Sequence, residues 1–175
     1  HARRTLAVMT RPHVQMIAPE VGFNAQGGKT LGTAAIVREP IGVVAAISPY
    51  NFPFFLNIGK VIAALAAGCT VVLKPSPYTP LEALILGEIA DEAGLPAGVF
   101  NVVTGDIEAS RLLTSDKRVD LVHFTGSDKV GADIQAQAAP TLKRLVMELG
   151  GKSALIVRAD ADLQIAAMAG VGGFT

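Results

Sequence analysis

The chain has 175 residues and a mass of 18.1 kDa, enough for one domain and too few for two comfortable ones. Half of its residues are hydrophobic and 17% are charged, and its 15 basic and 15 acidic residues cancel, which removes the electrostatic case for a nucleic-acid or membrane-surface protein. A single cysteine makes no internal disulfide, and the longest apolar run, Val61 to Leu73, falls short of the roughly 20 residues a bilayer span needs. The chain opens at His1 without a charged-then-apolar leader and closes at Thr175 inside an apolar segment, so we expect a cytoplasmic piece of something longer.

In chain order, residues 1–33 read as a lead-in, with a weak helix or irregular stretch over Ala2 to Ala18 and a glycine-bearing loop over Asn24 to Gly32. Residues 34–175 read as one α/β domain. Ala34 to Ser48 is β-branched and apolar around a polar break at Arg38-Glu39-Pro40, which predicts two extended segments. Phe54 to Ala67 is apolar nearly all round and predicts a helix packed on every side. Gly68 ends it, and Thr70 to Leu73 predicts a strand. Thr79 as N-cap and Pro80 at the first position open a helix over Leu81 to Glu92. Then follow a strand (Val99 to Val103), a short helix (Ile107 to Thr114), a strand (Val119 to Phe124) and a helix (Gly126 to Ala139). Two more strands (Lys143 to Glu148, Ser153 to Val157) lead to a final helix from Leu163. Strands alternating with helices at this rhythm predict a Rossmann-like parallel sheet covered on both faces, with ligands at the carboxyl ends of its strands.

Those strand ends have an unusual composition. Asn51 lies in Ser48-Pro49-Tyr50-Asn51-Phe52-Pro53, where two prolines fix the backbone around one amide; it is either a held donor for an oxyanion or a turn residue bonding its own backbone. Lys74, in Lys74-Pro75-Ser76, reads as a point charge for a ribose or phosphate, or as a lysine snorkelling from a strand end. Thr125-Gly126-Ser127 joins a strand to a helix N-terminus and suits an anion, although Ser127 serves equally as a plain N-cap and the glycine spacing is not the dinucleotide fingerprint. Glu148, between apolar neighbours and a double glycine, suits a general base, or is a strand-end glutamate in solvent. Each signal alone is weak; four on one sheet edge point to a shared cleft. Cys69, at the opposite end of a buried strand, reads as a small core hydrophobe, His123 as a packed histidine, and Asp160 and Asp162 as helix-start acids. No metal site is expected.

With those motifs in register, the chain from about Gly28 to Thr175 resembles the aldehyde dehydrogenase superfamily. The segments that carry the likeness are Pro49-Tyr50-Asn51-Phe52-Pro53, Val71-Val72-Leu73-Lys74-Pro75-Ser76, Phe124-Thr125-Gly126-Ser127 and Glu148-Leu149-Gly150-Gly151-Lys152-Ser153. The resemblance implies an NAD-binding portion, NADP being possible, of an enzyme that oxidises an aldehyde to a carboxylic acid through a cysteine thioester. It implies Asn51 as the oxyanion amide and Glu148 as the general base. For the cofactor it implies Lys74 and Ser76 at the adenosine ribose, Gly105 near the adenine, Gly126 and Ser127 at the pyrophosphate, and Leu149 and Gly150 under the nicotinamide. Ile47, Ser48, Phe124 and Val130 complete the cofactor residues, together with Pro77, which stands where NAD-selective members often place a glutamate. Tyr50 stands where tryptophan is usual. The family's nucleophile lies roughly 34 residues beyond the base, in a glycine-rich loop of the kind that marks such a site. The implied position is past Thr175, so the chain alone is expected to be inactive. The implied partners are a small-molecule aldehyde and further copies of the parent, as a homodimer or homotetramer. Two rival readings are a short non-catalytic NAD(P)-binding module and an acyl-phosphate or acyl-CoA reductase relative.

Overall fold

A computed structural model describes residues 13–152 and 154–173. Five parallel strands form its sheet: β3 (Val43–Ile47), β4 (Thr70–Lys74), β5 (Phe100–Val102), β6 (Leu121–Thr125) and β7 (Arg144–Glu148), in the order β5-β4-β3-β6-β7. The helices are α1 (Pro53–Ala66), α2 (Leu81–Glu92), α3 (Ile107–Ser115), α4 (Asp128–Ala138) and α5 (Leu163–Gly172). None is long and apolar enough to cross a membrane.

Strand alternation explains the layering, because successive side chains point to opposite faces. Val44, Ala46, Val71 and Leu73 face one way and pack with Val61, Ala64 and Leu65 of α1 and with Ala83 and Leu86 of α2. Ala45, Ile47, Val122 and Phe124 face the other way and pack with Leu113 of α3 and Ile134 of α4. The central strand β3 is accordingly apolar at every position, as a strand covered on both faces tends to be, while β4 and β6 are mostly apolar, with His123 within β6 and the polar residues Lys74 and Thr125 at their carboxyl ends. Cys69 is buried in the first of these clusters, the core role its position predicts.

Several expectations are corrected. Ala2 to Ala18 was expected to be helical or irregular; residues 1–12 lie outside the described residues, but from Val14 the chain is a strand. It is β1 (Val14–Phe23), paired antiparallel with β2 (Lys29–Val37). Its mixed apolar spacing arises from an irregularity between Ile17 and Glu20, at Pro19, which has no N–H for the ladder. The loop expected over Asn24 to Gly32 shrinks to a turn: the Asn24 side-chain oxygen accepts from the N–H of Gln26 (3.1 Å) and of Gly28 (2.8 Å), so β2 begins at Lys29.

Thr79 does not cap α2. Its hydroxyl donates instead to the Tyr50 carbonyl at 3.5 Å, and Pro80 occupies the N-cap. Among the described residues α1 is not packed all round: Phe54 and Phe55 are exposed, and its most buried positions are Asn57, Lys60 and Val61. The strand expected over Ser153 to Val157 does not form across residues 154–157, which are exposed and pair with no strand; Ser153 lies outside the described residues. A β-branched run becomes a strand only when another strand satisfies its backbone. Asp162 caps α5 as expected, accepting from the N–H of Gln164 (2.8 Å) and Ile165 (3.2 Å).

Candidate functional site

Chain order around the sheet runs from β3 outward through β4 to β5, then returns to β6 on the other side of β3 and on to β7. The reversal falls between β3 and β6, and the loops leaving the carboxyl ends there diverge to opposite faces, opening a crevice. Register brings the sequence-predicted residues to this edge. Ile47 is level with both Lys74 and Phe124, and Thr125 is level with Glu148. Beyond the strands, Ser48 N–H donates to the Lys74 carbonyl (3.2 Å) and Gly126 N–H to the Glu148 carbonyl (3.0 Å). The loops bearing Asn51, Ser76, Ser127 and Gly150 therefore leave one edge of one sheet.

A cavity of about 390 Å³ lies at that edge between α3 and α4. Five predicted residues line it: Ile47, Lys74, Pro77, Phe124 and Val130. Lys74 is 3% exposed, so it does not snorkel; its ammonium donates to the Pro75 carbonyl at 2.8 Å. Burial lowers its pKa, and the nearby Asp106 carboxylate opposes that shift. Ser48 and Ser76 are buried, and the Ser76 hydroxyl accepts from the Tyr78 N–H at 3.3 Å. Gly105 presses against Ala109 of α3, where a Cβ would lie 2.7 Å from that methyl.

Ser127 caps α4, its hydroxyl accepting from the Val130 N–H at 3.4 Å. Gly126 exists for a close approach, since a Cβ there would collide with the Phe124 ring. Replacing Gly126 by alanine is expected to cost about 1–3 kcal/mol through this overpacking. Because Phe124 lines the cavity, ligand affinity should fall as well; a thermal melt and a binding titration check both. The loop after β7 is tied to the same helix, with Gly150 N–H donating to the Asp128 carboxylate at 3.1 Å. Leu149 sits over Gly131, where any Cβ would come within 2.8 Å of it.

Asn51 and Glu148 stand on the same edge but do not line this cavity; both are exposed. The Asn51 turn is braced from two sides. Pro49 and Pro53 flank it, and Tyr50 meets Tyr78 edge-on with ring centres 6.4 Å apart. The brace holds Phe52 at φ 47°, ψ 47°, a left-handed conformation rare for a side chain of this size. Such strain persists only where the surroundings over-determine it.

Sequence reasoning missed two features. One is the helical lining of the cavity: Ile107, Ser110, Arg111 and Thr114 of α3 face Ile134 and Gln137 of α4. The signal was present as paired stripes at i, i+3, i+4 and i+7. The other lies on the opposite face of the sheet. Lys60 is 3% exposed, donates to the Thr125 hydroxyl at 2.6 Å, and has a pKa lowered to about 8 by burial, with Glu148 pulling it back up. His123 is half-buried beside it, its pKa lowered to about 4 by burial and then by the Lys60 charge. Asn57 is fully buried, and neither its side-chain amide nor the Ser48 hydroxyl has a hydrogen-bond partner among the described residues. A lone lysine in an apolar helix was the legible sign.

Comparisons with known proteins agree on one kinship. Residues 10–175 match the Aldehyde dehydrogenase family. A 3-succinoylsemialdehyde-pyridine dehydrogenase from a Pseudomonas species is 51% identical over 144 residues, 82% of this chain and 30% of that protein. Among solved structures, a mutant of aldehyde dehydrogenase C from Pseudomonas syringae, complexed with NAD+ and octanal, superposes with a TM-score of 0.75 at 48% identity, over 78% of this chain and 28% of its own. An NADP-dependent enzyme of Escherichia coli superposes with a TM-score of 0.83 at 40% identity, over 98% of this chain and 34% of its own. The chain thus spans about 30% of the length of that curated relative.

Proposed function

The chain belongs to the aldehyde dehydrogenase family, and from that premise we propose that residues 34–175 are the cofactor-binding portion of an NAD(P)-dependent enzyme that oxidises an aldehyde to a carboxylic acid. The observation that carries this reading is the cavity between α3 and α4 at the reversal of strand order, where Ile47, Lys74, Pro77, Phe124 and Val130 meet. Its volume falls within the range of small-molecule sites, and apolar side chains such as Ile47, Ile107, Val130 and Ile134, with a few polar groups and a buried cation at one end, suit an adenosine.

In this reading Lys74 and Ser76 hold the adenosine ribose, Gly105 closes the adenine side, and the Gly126-Ser127 turn at the start of α4 receives the pyrophosphate. Leu149 and Gly150, seated on α4 through Gly131 and Asp128, carry the nicotinamide. The dinucleotide, when bound, supplies the acceptor for a hydride leaving the substrate carbon. The remaining chemistry belongs to side chains. A cysteine thiolate, beyond Thr175 in this reading, attacks the aldehyde carbon, and the carbonyl electrons move to oxygen, where the Asn51 amide donates a hydrogen bond. Loss of hydride re-forms the carbonyl as a thioester. Glu148 then takes a proton from water; the hydroxide adds to the thioester carbon and expels the thiolate, giving the acid. Glu148 argues against a reductase of acyl-phosphates or acyl-CoA, whose acceptor is not water.

Pro77 offers no carboxylate to repel a 2′-phosphate beside Lys74 and Ser76, so NADP+ is expected to bind alongside NAD+. Calorimetric titration of the protein with each dinucleotide tests the reading. Micromolar binding of NAD+, weakened about tenfold or more by Lys74→Met, is the expected result, a charge-assisted hydrogen bond contributing about 1.5–3 kcal/mol. Absence of binding by either dinucleotide would contradict it.

A further inference from the structure

Both helices that wall the cavity run away from the ligand edge of the sheet, so positions seven residues along each lie about 10 Å from it. Thr114 stands seven residues after Ile107, and Gln137 seven after Val130, and all four line the cavity. Thr114 is 1% exposed, and its hydroxyl donates to the Gln137 side-chain oxygen at 2.5 Å. That hydroxyl also lies 3.2 Å from the Arg111 carbonyl, but it carries one proton, and the shorter contact takes it. The far end of the slit, which Ser110, Arg111 and Asp133 also line, thus holds an oriented carboxamide. Its oxygen keeps a second lone pair and its nitrogen keeps two N–H groups. An acceptor beside a donor is the couple that pairs with the amino group and adjacent ring nitrogen of adenine.

We propose that Gln137, oriented by Thr114, reads the amino edge of the adenine ring and selects an adenine dinucleotide over its 6-oxo counterpart. The inference rests on the dinucleotide reading above and adds the residue that discriminates the base. A 6-oxo purine places a carbonyl where the adenine amino group stands, opposing the Gln137 oxygen and leaving its lone pair unpaired. Ile107, Val130 and Ile134 supply contact to either base equally and cannot discriminate.

The test compares NAD+ with nicotinamide hypoxanthine dinucleotide by calorimetry on the intact protein and on two variants. The wild type is expected to prefer NAD+ about tenfold or more, the scale of one bidentate base contact. Gln137→Leu should bring the two affinities within about twofold, by weakening NAD+, which loses its pairing, and by tightening the 6-oxo dinucleotide, which no longer faces an opposed oxygen. Thr114→Val, near-isosteric at a buried position, should lower the preference even if the leucine variant fails to fold. Equal affinities in the wild type, a preference for the 6-oxo form, or an undiminished preference in either folded variant would overturn the inference while leaving the dinucleotide reading intact. Binding of neither dinucleotide to the wild type would remove both.

Discussion

Replacing Asn51 by alanine in the intact enzyme is expected to lower kcat about 100- to 1000-fold, the scale of losing one pre-oriented oxyanion donor. NAD+ affinity should change little, because Asn51 stands outside the cavity that Lys74 and Phe124 line. The braced turn makes this expectation specific. Pro49, Pro53 and the Tyr50–Tyr78 contact flank the left-handed Phe52, so in the proposed mechanism the backbone bearing the amide is fixed before substrate arrives. Glu148→Gln separates the second half of the reaction from the first. It should preserve a burst of NADH while steady-state turnover falls at least about a hundredfold, as expected when a general base is removed. A stopped-flow trace at 340 nm distinguishes them: the Asn51 variant loses the burst, and the Glu148 variant keeps it. An unchanged steady-state rate in either variant would reject the role assigned to that residue.

Replacing Lys60 by methionine is expected to stabilise the protein at pH 7 by about 2 kcal/mol. An ammonium whose pKa is held at about 8 instead of 10.5 is disfavoured, while protonated, by about 3 kcal/mol relative to water. Part of that gain is offset by losing the hydrogen bond to Thr125, which contributes about 1 kcal/mol. The sign of the pH dependence follows from the direction of the shift. Between about pH 8 and 10.5 the unfolded chain holds the Lys60 proton and the folded chain does not, so this lysine makes stability rise with pH across that window. The methionine variant should lose that rise in urea titrations at pH 7.5 and 10. His123 acts on the acid side: its folded pKa of about 4 means stability falls as pH drops from about 6.5 to 4, and removing the Lys60 charge should narrow that window. Because the Lys60 charge acts on Glu148, the base of the proposed mechanism, turnover is expected to fall in the same variant.

The parallel sheet was legible because the apolar-rich segments that become β3, β4 and β6 alternate with helical segments, two of which are closed by a left-handed glycine, Gly68 and Gly94. The ligand edge was legible because Asn51, Lys74, Ser127 and Glu148 all follow or end strands of one parallel sheet, so their loops had to leave its carboxyl edge together. Three things were hidden. The β1–β2 hairpin depends on pairing between residues far apart in the chain, so the spacing of Val14 to Ile17 alone did not reveal it. Thr79 looks like an N-cap locally, yet its hydroxyl turns to the Tyr50 carbonyl, a tertiary partner invisible to local rules. Lys60 was concealed by the apolar sequence around it, because the helix face it shares with Asn57 becomes polar only when β6 supplies Thr125. Residues 154–157 show the converse, a strand-like sequence that stays exposed because no strand lies beside it among the described residues.

A crystal structure of the protein with NAD+ tests the central claim most directly. The adenosine should lie between α3 and α4 with its ribose at Lys74, its pyrophosphate over the Gly126-Ser127 turn and its nicotinamide above Leu149 and Gly150. A dinucleotide bound on the α1–α2 face, or at the amino ends of the strands, would contradict it.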